Sequence, residues 1–392
     1  MSAQRSVSLS APVNHRVDLL VIAAEHSGDE HAARMVREVR ERRPGTVVAA
    51  LGGPRLEAAG AQLLRDLTAS SAMGFAVIAK VSYYRKLIAE IVRWIGEHRP
   101  RAVCFVDSSG LNLRIAEQLF ARGISAKSGG PTKTLYYISP QVWASRAGRR
   151  FKMAEQLDGL ASIFPFERQV YADTSLPVTF VGHPFVAGDY AAPVGYDPDG
   201  PVLLLPGSRR GPVKRIFPVL LEAYRRAGGG RGAVVLYPSE PIRETLKEIL
   251  SRHSRGGLSG AGDEIVLRPA GEAAGGAAVL TTSGTMSMHC ALAGIPGAIT
   301  YRTDPLTYAI GRRLVKVKFI GIANLLLGEE MYPEFVQAAA TPEALAGELR
   351  AALEEPARRE RTAAQARRLR ELLSEQTSGS AAEWVLKESG IG

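Results

Sequence analysis

Cysteine is scarce in this sequence: Cys104 and Cys290 are the only two in 392 residues, and each lies in an apolar segment. Two isolated thiols form neither a disulfide framework nor a zinc knuckle, which excludes a small disulfide-rich scaffold and predicts a reducing, cytoplasmic location. Long hydrophobic runs are also missing. The run at residues 19–24 is too short to span a bilayer, and the charged Glu25 follows it instead of a small-residue cleavage site. Any contact with a membrane is therefore expected to be peripheral.

Aromatic residues make up 7% of the chain and charged residues 22%, whereas 46% of the residues are hydrophobic. This balance is typical of a globular protein and excludes disorder for most of the chain. The 49 Lys and Arg residues exceed the 39 Asp and Glu residues, and the net charge of +10 favours an anionic partner such as nucleic acid, a membrane surface or a phosphorylated substrate. No nucleic-acid-binding motif is recognised, so we expect no nucleic-acid partner.

Short apolar runs alternate with amphipathic stretches along most of the chain. The run at 17–24 precedes a helical pattern for which Ser27 is the predicted N-cap, with Glu30 completing a capping box. Repeated strand, helix, strand order predicts parallel sheets with right-handed crossovers. Because the chain is too long for one core and a Pro- and Gly-rich stretch separates two such series, we predict an α/β protein with two doubly wound, Rossmann-like domains facing a cleft.

The predicted boundaries are a flexible N-terminus at 1–16, an N-terminal domain at 17–185, a C-terminal domain at 186–354 and C-terminal helices at 355–392. The sequence leaves two interpretations of the last helices open. They are either a solvated tail or a brace that packs back on the N-terminal domain.

Two predicted strand-to-helix turns in the second half of the chain consist of small residues: Leu205-Pro-Gly-Ser-Arg209 and Thr282-Ser-Gly-Thr-Met286. Such a turn leaves amide N–H groups and the positive end of the helix dipole available for a phosphate. Arg209 adds a cation beside the first turn, so we expect a diphosphate-bearing substrate here. The alternative is that Arg209 is only an exposed basic residue after a turn.

Several short motifs follow one another between about residues 17 and 350. They are Ser27-Gly28-Asp29, Gly52-Gly53-Pro54, Ser139-Pro140-Gln141-Val142-Trp143-Ala144, Pro165-Phe166-Glu167, Phe180-Val181-Gly182-His183-Pro184, the two turns above and Pro333-Glu334-Phe335-Val336-Gln337. As an ordered set they closely resemble the lipid-A-disaccharide synthase family, glycosyltransferases of the GT-B class. The Ser-Pro-Gln-Val-Trp run and the Leu-Pro-Gly-Ser-Arg turn are the most specific pieces.

This resemblance implies an inverting sugar transfer at the inner membrane surface. A UDP-2,3-diacylglucosamine donor would give its sugar to the acylated acceptor 2,3-diacylglucosamine 1-phosphate, forming the β-1,6 disaccharide of lipid A and releasing UDP. The resemblance implies no metal and no cofactor. It places the nucleotide mainly in the C-terminal domain and the acceptor near the N-terminal one, and a homodimer is compatible with it.

A general base must take the proton of the acceptor hydroxyl. Asp107 is the first candidate, because it ends a predicted strand and, with Asn112, matches an Asp-x-x-x-x-Asn pattern of the family. Glu25 and Asp29 are second candidates at the end of the first strand. For Asp107 the alternative is a cap on the following helix, and for Asp29 it is stabilisation of the helix dipole.

The resemblance also assigns residues to the two substrates. The expected UDP-binding residues are Gly207, Ser208, Arg209, Ser283, Gly284, Thr285 and His289, and the expected acceptor or cleft residues are Ser27, Asn112, Gln141, Trp143 and His183. The chain departs from the family at two nucleotide-binding positions, where His289 and Pro212 replace glutamates. A neutral imidazole offers one donor and one acceptor, so His289 is still able to bind a pair of ribose hydroxyls.

One segment fits an interfacial membrane anchor, because an apolar stretch is followed by aromatic and basic residues. The expected membrane contacts are Met73, Phe75, Val77, Ile78, Arg85 and Lys86. The alternative is an ordinary buried helix or strand with a charged flank.

Two other functions remain open at this point. One is a GT-B enzyme that acts on a different UDP-sugar, either a transferase with a soluble acceptor or an epimerase. The other is a diverged, non-catalytic protein that binds a nucleotide or a lipid, which the changes at Pro212 and His289 would suit.

Overall fold

The computed structural model describes residues 9–13, 16–68, 77–188, 190–227, 230–254, 264–304, 308, 317–375 and 377–391, with backbone alone for 77–81 and 254. The chain divides into two compact units. Unit 1 comprises Met1–Pro184 and Glu375–Gly392, and unit 2 comprises Phe185–Ser374.

Unit 1 is built on a seven-stranded parallel sheet in the order β3-β2-β1-β4-β5-β6-β7. The strands are β1 (Leu19–Ile22), β2 (Val48–Gly52), β3 (Gln62–Asp66), β4 (Ala102–Val106), β5 (Lys133–Tyr137), β6 (Gly159–Ser162) and β7 (Val178–Phe180). Every residue of β1, β2 and β4 is buried, as the unbroken apolar runs predict for strands covered on both faces. The carboxyl ends of β1 and β4 are neighbours, which brings Glu25 and Asp107 to the same sheet edge.

Helices follow most strands of unit 1. They are α1 (His26–Arg42), α2 (Pro54–Ala58), α3 (Val77–His98), α4 (Ser109–Ala121), α5 (Arg149–Gln156) and α6 (Glu167–Val170). The predicted N-cap is wrong, because α1 begins at His26, with Glu25 as N-cap and no capping side chain. The Asp29 amide instead bonds the Glu25 carbonyl at 2.9 Å, which starts the helix before Ser27. Within the residues that the structure describes, none of the helices combines the length and apolar character that crossing a bilayer requires.

Unit 2 contains a six-stranded parallel sheet in the order β11-β10-β9-β13-β14-β15 and a small sheet that pairs β12 with β8. The strands are β8 (Val194–Tyr196), β9 (Val202–Leu205), β10 (Ala233–Tyr237), β11 (Ile265–Pro269), β12 (Ala274–Gly276), β13 (Ala278–Thr282), β14 (Gly297–Tyr301) and β15 (Glu334–Val336). The helices are α7 (Arg210–Ala227), α8 (Glu240–Ser254), α9 (Thr285–Ala293), α10 (Ile322–Leu327), α11 (Pro342–Glu354) and α12 (Pro356–Leu373).

Both ends of the chain contribute to unit 1. The last helix, α13 (Ala381–Ser389), packs on α1 and β5, where Lys133 Nζ donates to the Glu388 carbonyl at 2.6 Å. Near the other end, Trp94 Nε1 of α3 donates to the Ser10 carbonyl at 3.0 Å and the Val13 amide donates to Gln62 Oε1 of β3 at 2.9 Å, so residues 9–13 of the predicted flexible segment bond to unit 1. The division also differs from the predicted boundary at 354/355, because α12 belongs to unit 2 and only α13 returns to unit 1.

A buried guanidinium attaches α12 to the rest of unit 2. Arg358 is 4% exposed and donates to the carbonyls of Met331 and Gly297 at 3.0 Å, while its Nη2 lies 2.9 Å from the Glu348 carboxylate. Since all of these partners are in unit 2, the contact explains why α12 stays with that unit.

We expect Arg358→Met to destabilise unit 2 by about 3–5 kcal/mol, because the change leaves Glu348 without its buried cation and two carbonyls without donors. Urea unfolding followed by circular dichroism would measure the loss, and tryptophan fluorescence would follow unit 1 separately, because Trp94, Trp143 and Trp384 all lie there. Arg368→Met is the matched control on the same helix: its exposed ion pair with Glu329 contributes about 1 kcal/mol or less. Equal stabilities of the two variants would contradict the structural role of Arg358.

Candidate active site

Asp107 lies in a strained turn directly after β4. Asp107 and Ser108 have φ of 50° and 44°, a left-handed conformation that costs most residues about 1–2 kcal/mol and that Asp tolerates better than most. Two side chains hold the turn by its carbonyl: Asn112 Nδ2 donates to the Asp107 oxygen at 2.9 Å, and the Tyr136 hydroxyl donates to the same atom. The backbone that carries the Asp107 carboxyl is therefore positioned from two sides.

The surroundings of Asp107 make its carboxyl more basic. Burial raises its pKa above the ordinary value of an aspartate, and the nearby Glu25 carboxylate raises it further. A carboxylate with a raised pKa is a better proton acceptor. Burial raises the pKa of Tyr84 on α3, and the charges of Tyr83 and Glu25 raise it further.

Asp29 has a structural role in this arrangement. It is 2% exposed, and its carboxylate accepts hydrogen bonds from the amides of Gly53, Arg55 and Leu56 at 2.7, 3.1 and 3.3 Å. These are the free N–H groups of the first turn of α2. A Cβ on Gly53 would lie 2.7 Å from Asp29 Oδ2, which explains the Gly52-Gly53-Pro54 motif. Because both oxygens bond amides of α2, Asp29 caps that neighbouring helix, a role that neither interpretation of its sequence position gave, and Asp107 and Glu25 remain as the carboxylates of the site.

Asn112 supports the turn from a fully buried position. Its Nδ2 also lies 3.2 Å from the Val106 carbonyl, whereas its Oδ1 and the hydroxyl of Ser108 have no hydrogen-bond partner among the described residues. Asn112 thus orients Asp107 through the backbone.

Ser27, another of the expected acceptor residues, is partly exposed in the first turn of α1.

Trp143 lies against the Pro165-Phe166-Glu167 motif, and His183 lies against Phe164, the residue directly before it. Trp143 packs edge-on against Phe166 and donates to Glu167 Oε1 at 3.3 Å, and the His183 ring lies 5.2 Å from that of Phe164. Glu167 is 1% exposed, and burial raises its pKa to about 8, so this carboxyl holds a proton near neutral pH. Glu167 is a residue that the sequence analysis missed, although its motif was part of the resemblance.

Gln141 is exposed at the start of the loop that Trp143 anchors. Its carbonyl accepts a hydrogen bond from the Ala144 amide at 3.1 Å, which closes a tight turn. The structure therefore places Gln141 at the surface and attaches Trp143 to the body of unit 1.

In unit 2 the two small-residue turns are neighbours. Strand β9 pairs with β13 in parallel, so both strands end at the same edge and each is followed by a helix, α7 or α9. Gly207 has φ of 103°, and a Cβ there would lie 3.4 Å from Thr282 Oγ1. The two turns therefore approach each other, as expected for a phosphate site built from main-chain amides.

Each turn presents small or polar residues to solvent. Ser208 and Arg209 are exposed before α7 begins at Arg210. Gly284 is the N-cap of α9, and its amide bonds Ser287 Oγ at 3.3 Å. In the rest of the second turn, Ser283 is partly exposed and Thr285 is exposed. An anion can therefore reach this edge from solvent.

His289 is buried within unit 2. The imidazole is 5% exposed, its ring lies 4.0 Å from that of Phe185 and parallel to that of Tyr190, and the Tyr190 hydroxyl lies 3.2 Å from Nε2. The imidazole already contacts one hydroxyl, so this packing argues against a direct grip on a ribose diol.

The candidate membrane segment is only partly described. Met73 and Phe75 lie outside the described residues, and Val77 and Ile78 are described by their backbone in α3 alone. Arg85 and Lys86 are exposed on α3, whereas the following Leu87 is 1% exposed and belongs to the core. The basic residues of this segment therefore face solvent.

Solved structures with two Rossmann-like domains share this fold. A putative UDP-N-acetylglucosamine 2-epimerase from Listeria monocytogenes matches with a TM-score of 0.60 and 13% identity, covering 95% of each chain. The calicheamicin glycosyltransferase CalG4 matches with a TM-score of 0.54 and 15% identity, covering 96% of this chain and 99% of its own. The chain thus has the GT-B fold, which confirms the predicted fold class.

The family follows from sequence similarity. A family model described as lipid-A-disaccharide synthetase matches residues 19–388. A lipid-A-disaccharide synthase from Geobacter metallireducens is 34% identical over 386 residues, which cover 95% of this chain and 96% of the relative. The chain belongs to the lipid-A-disaccharide synthetase family, and it is a glycosyltransferase.

Proposed function

We propose that this chain joins the two lipid A precursors: it transfers the acylated glucosaminyl group of UDP-2,3-diacylglucosamine to 2,3-diacylglucosamine 1-phosphate. The observation that carries the proposal is the pairing of β9 with β13, which brings two Gly-containing turns together in a chain that matches the family over residues 19–388. Such a pair of helix N-termini suits the diphosphate of a sugar nucleotide.

The acceptor side of the reaction belongs to unit 1 in this proposal. The acceptor 6-hydroxyl oxygen attacks the anomeric carbon of the donor, and its proton passes to the Asp107 carboxylate. The bond between the anomeric carbon and the diphosphate oxygen breaks on the opposite face, so the configuration inverts and a β-1,6 link forms. Glu25 acts through its charge, because it raises the pKa of Asp107.

The donor side belongs to unit 2. The departing UDP gains negative charge as the bond breaks, and donors already in place stabilise that charge best. The amides of Gly207, Ser208, Ser283 and Thr285 and the Arg209 guanidinium supply these donors. His289 supports this edge from within by packing against Tyr190.

Turnover with defined substrates tests the proposal. Purified protein is mixed with the diacylated donor and acceptor, and UDP release and disaccharide formation are followed together. UDP-N-acetylglucosamine serves as the alternative donor. We expect turnover with the acylated pair. Turnover only with the soluble sugar would favour a different GT-B activity, and binding without UDP release would favour a non-catalytic protein.

Acylated substrates require access from a bilayer, and we propose that segment 73–86 meets the membrane surface. Exposed cations on α3 beside an apolar stretch suit an anionic interface, where each contributes about 1 kcal/mol.

We expect the double change Arg85→Glu and Lys86→Glu to weaken sedimentation with anionic vesicles by at least about 30-fold, since two cations are lost. The matched control reverses two exposed cations elsewhere in unit 1, Arg37→Glu and Lys127→Glu, and keeps the same net charge. If both double variants sedimented equally, the anchor would be elsewhere.

Phe75→Glu with Ile78→Glu tests the apolar part of the segment. Undiminished sedimentation of this variant with vesicles would remove the apolar part from the proposed interface.

A further inference from the structure

Three arginines of unit 1 come together beside the candidate base. Arg114 lies on α4, Arg146 on the loop before α5, and Arg149 is the first residue of α5, which packs against α4. The Arg149 amide bonds the Arg146 carbonyl at 2.9 Å, and Arg146 itself has a left-handed φ of 56°. Three segments of the chain thus meet at this point.

The three guanidinium groups repel one another. The pKa of Arg149 lies below the ordinary value, first because of burial and then because of the charges of Arg146 and Arg114. None of the three forms a hydrogen bond through its side chain, or an ion pair, with another described residue. The neighbouring Arg150 differs: its Nε donates to Asp173 at 2.8 Å. A set of like charges without a counter-charge is suited to an anionic ligand.

The position of the three arginines relates them to the reaction. The Tyr136 hydroxyl donates to the Asp107 carbonyl, and the charges of both Asp107 and Arg149 act on the pKa of Tyr136. Arg114 lies on α4, which begins two residues after Asp107, so the arginine cluster is close to the candidate base. In the proposed acceptor, the 1-phosphate is separated from the reacting 6-hydroxyl by one sugar ring, so its binding site is expected near the base but apart from it.

We propose that Arg114, Arg146 and Arg149 form the binding site for the phosphate monoester of the acceptor, with Asp107 at the hydroxyl that reacts. The inference rests on the proposed function and deepens it. A guanidinium matches two phosphate oxygens in a forked pair of hydrogen bonds, and a dianionic phosphate removes the repulsion within the cluster. The site selects an acceptor that is phosphorylated at the anomeric position.

The test compares two acceptors, 2,3-diacylglucosamine 1-phosphate and its dephosphorylated form, in the wild type, Arg149→Ala and Arg150→Ala. We expect the wild type to prefer the phosphorylated acceptor by about 100-fold in kcat/KM. Arg149→Ala should reduce this preference to below about tenfold by raising KM for the phosphorylated acceptor alone. Arg150→Ala, the matched control, should keep the preference. Arg114→Ala, at an exposed position, repeats the test should Arg149→Ala fold poorly.

Three results would overturn the site. The first is an equal loss of kcat/KM with both acceptors in Arg149→Ala and Arg114→Ala. The second is a loss of UDP affinity in these variants, which would assign the arginines to the donor diphosphate instead. Unequal sedimentation of wild type and Arg149→Ala with phosphatidylglycerol vesicles would point to a lipid headgroup and would also count against the site.

Equilibrium binding of short-chain forms of both acceptors separates this inference from the proposed function. Suppose that the wild type binds the phosphorylated acceptor more tightly, that Arg149→Ala abolishes this preference, and that the wild type nevertheless shows no turnover. That result would support the site and contradict the proposed function. Turnover by the wild type with a phosphate preference that Arg149→Ala leaves intact would keep the function and remove the site.

Discussion

Asp107→Asn is expected to lower kcat by about 10²–10⁴-fold while it leaves UDP affinity nearly unchanged, because the amide cannot accept the proton of the acceptor hydroxyl. Asparagine is the informative replacement, since it tolerates the left-handed φ of 50° that alanine would resist. UDP release with both acylated substrates measures the rate, and calorimetry with UDP measures the affinity. Full activity of Asp107→Asn would remove Asp107 as the base.

The pH dependence of the wild type gives a second test of the same role. The base acts in its deprotonated form, so kcat/KM should rise with pH as Asp107 loses its proton. Because burial and Glu25 raise this pKa, the acid limb should lie above the ordinary aspartate range. Glu25→Gln removes one of the two causes and should shift the limb to lower pH. A limb that does not move in Glu25→Gln would contradict the coupling of the two carboxylates.

The sheets of both units could be predicted from sequence because burial on two faces leaves a simple pattern. Residues 19–22 are unbroken in apolar character and become β1, a strand without an exposed residue. The turns at Gly207 and Gly284 could also be predicted, because glycine is favoured where the chain needs a positive φ between a strand and a helix. Both glycines adopt a positive φ.

The role of Asp29 could not be predicted, because it depends on contacts distant in sequence. Its carboxylate caps α2, which begins 25 residues later, at Pro54. A carboxylate one turn into a helix looks the same in sequence whether it stabilises the dipole, caps a neighbour or takes a proton. Only its three amide partners distinguish these roles.

For a related reason the sequence did not predict the arginine cluster, and it left the return of α13 to unit 1 as one of two open interpretations. Arg114 and Arg149 are 35 positions apart, and they become neighbours only because α4 packs on α5. After residue 341 the sequence shows only helical patterns, with no signal that separates α12 from α13. In the structure, Arg358 of α12 bonds to unit 2, whereas Lys133 of unit 1 bonds to α13. Amphipathic periodicity identifies a helix but not the surface that it covers.

Arg209→Ala is expected to weaken UDP binding by about 10–100-fold, because charge-assisted hydrogen bonds to a phosphate contribute about 1.5–3 kcal/mol. Calorimetry with UDP measures this loss directly, without any acceptor. Arg210→Ala is the matched control on the adjacent residue, whose Nε donates to Thr245 Oγ1 at 3.3 Å on the first turn of α7, and its UDP affinity should stay within about threefold of the wild type. The ratio of the two affinities matters more than either alone, since loss of any cation lowers the general attraction for an anion. Equal affinities for the two variants would mean that the amides of the two turns hold the diphosphate without Arg209.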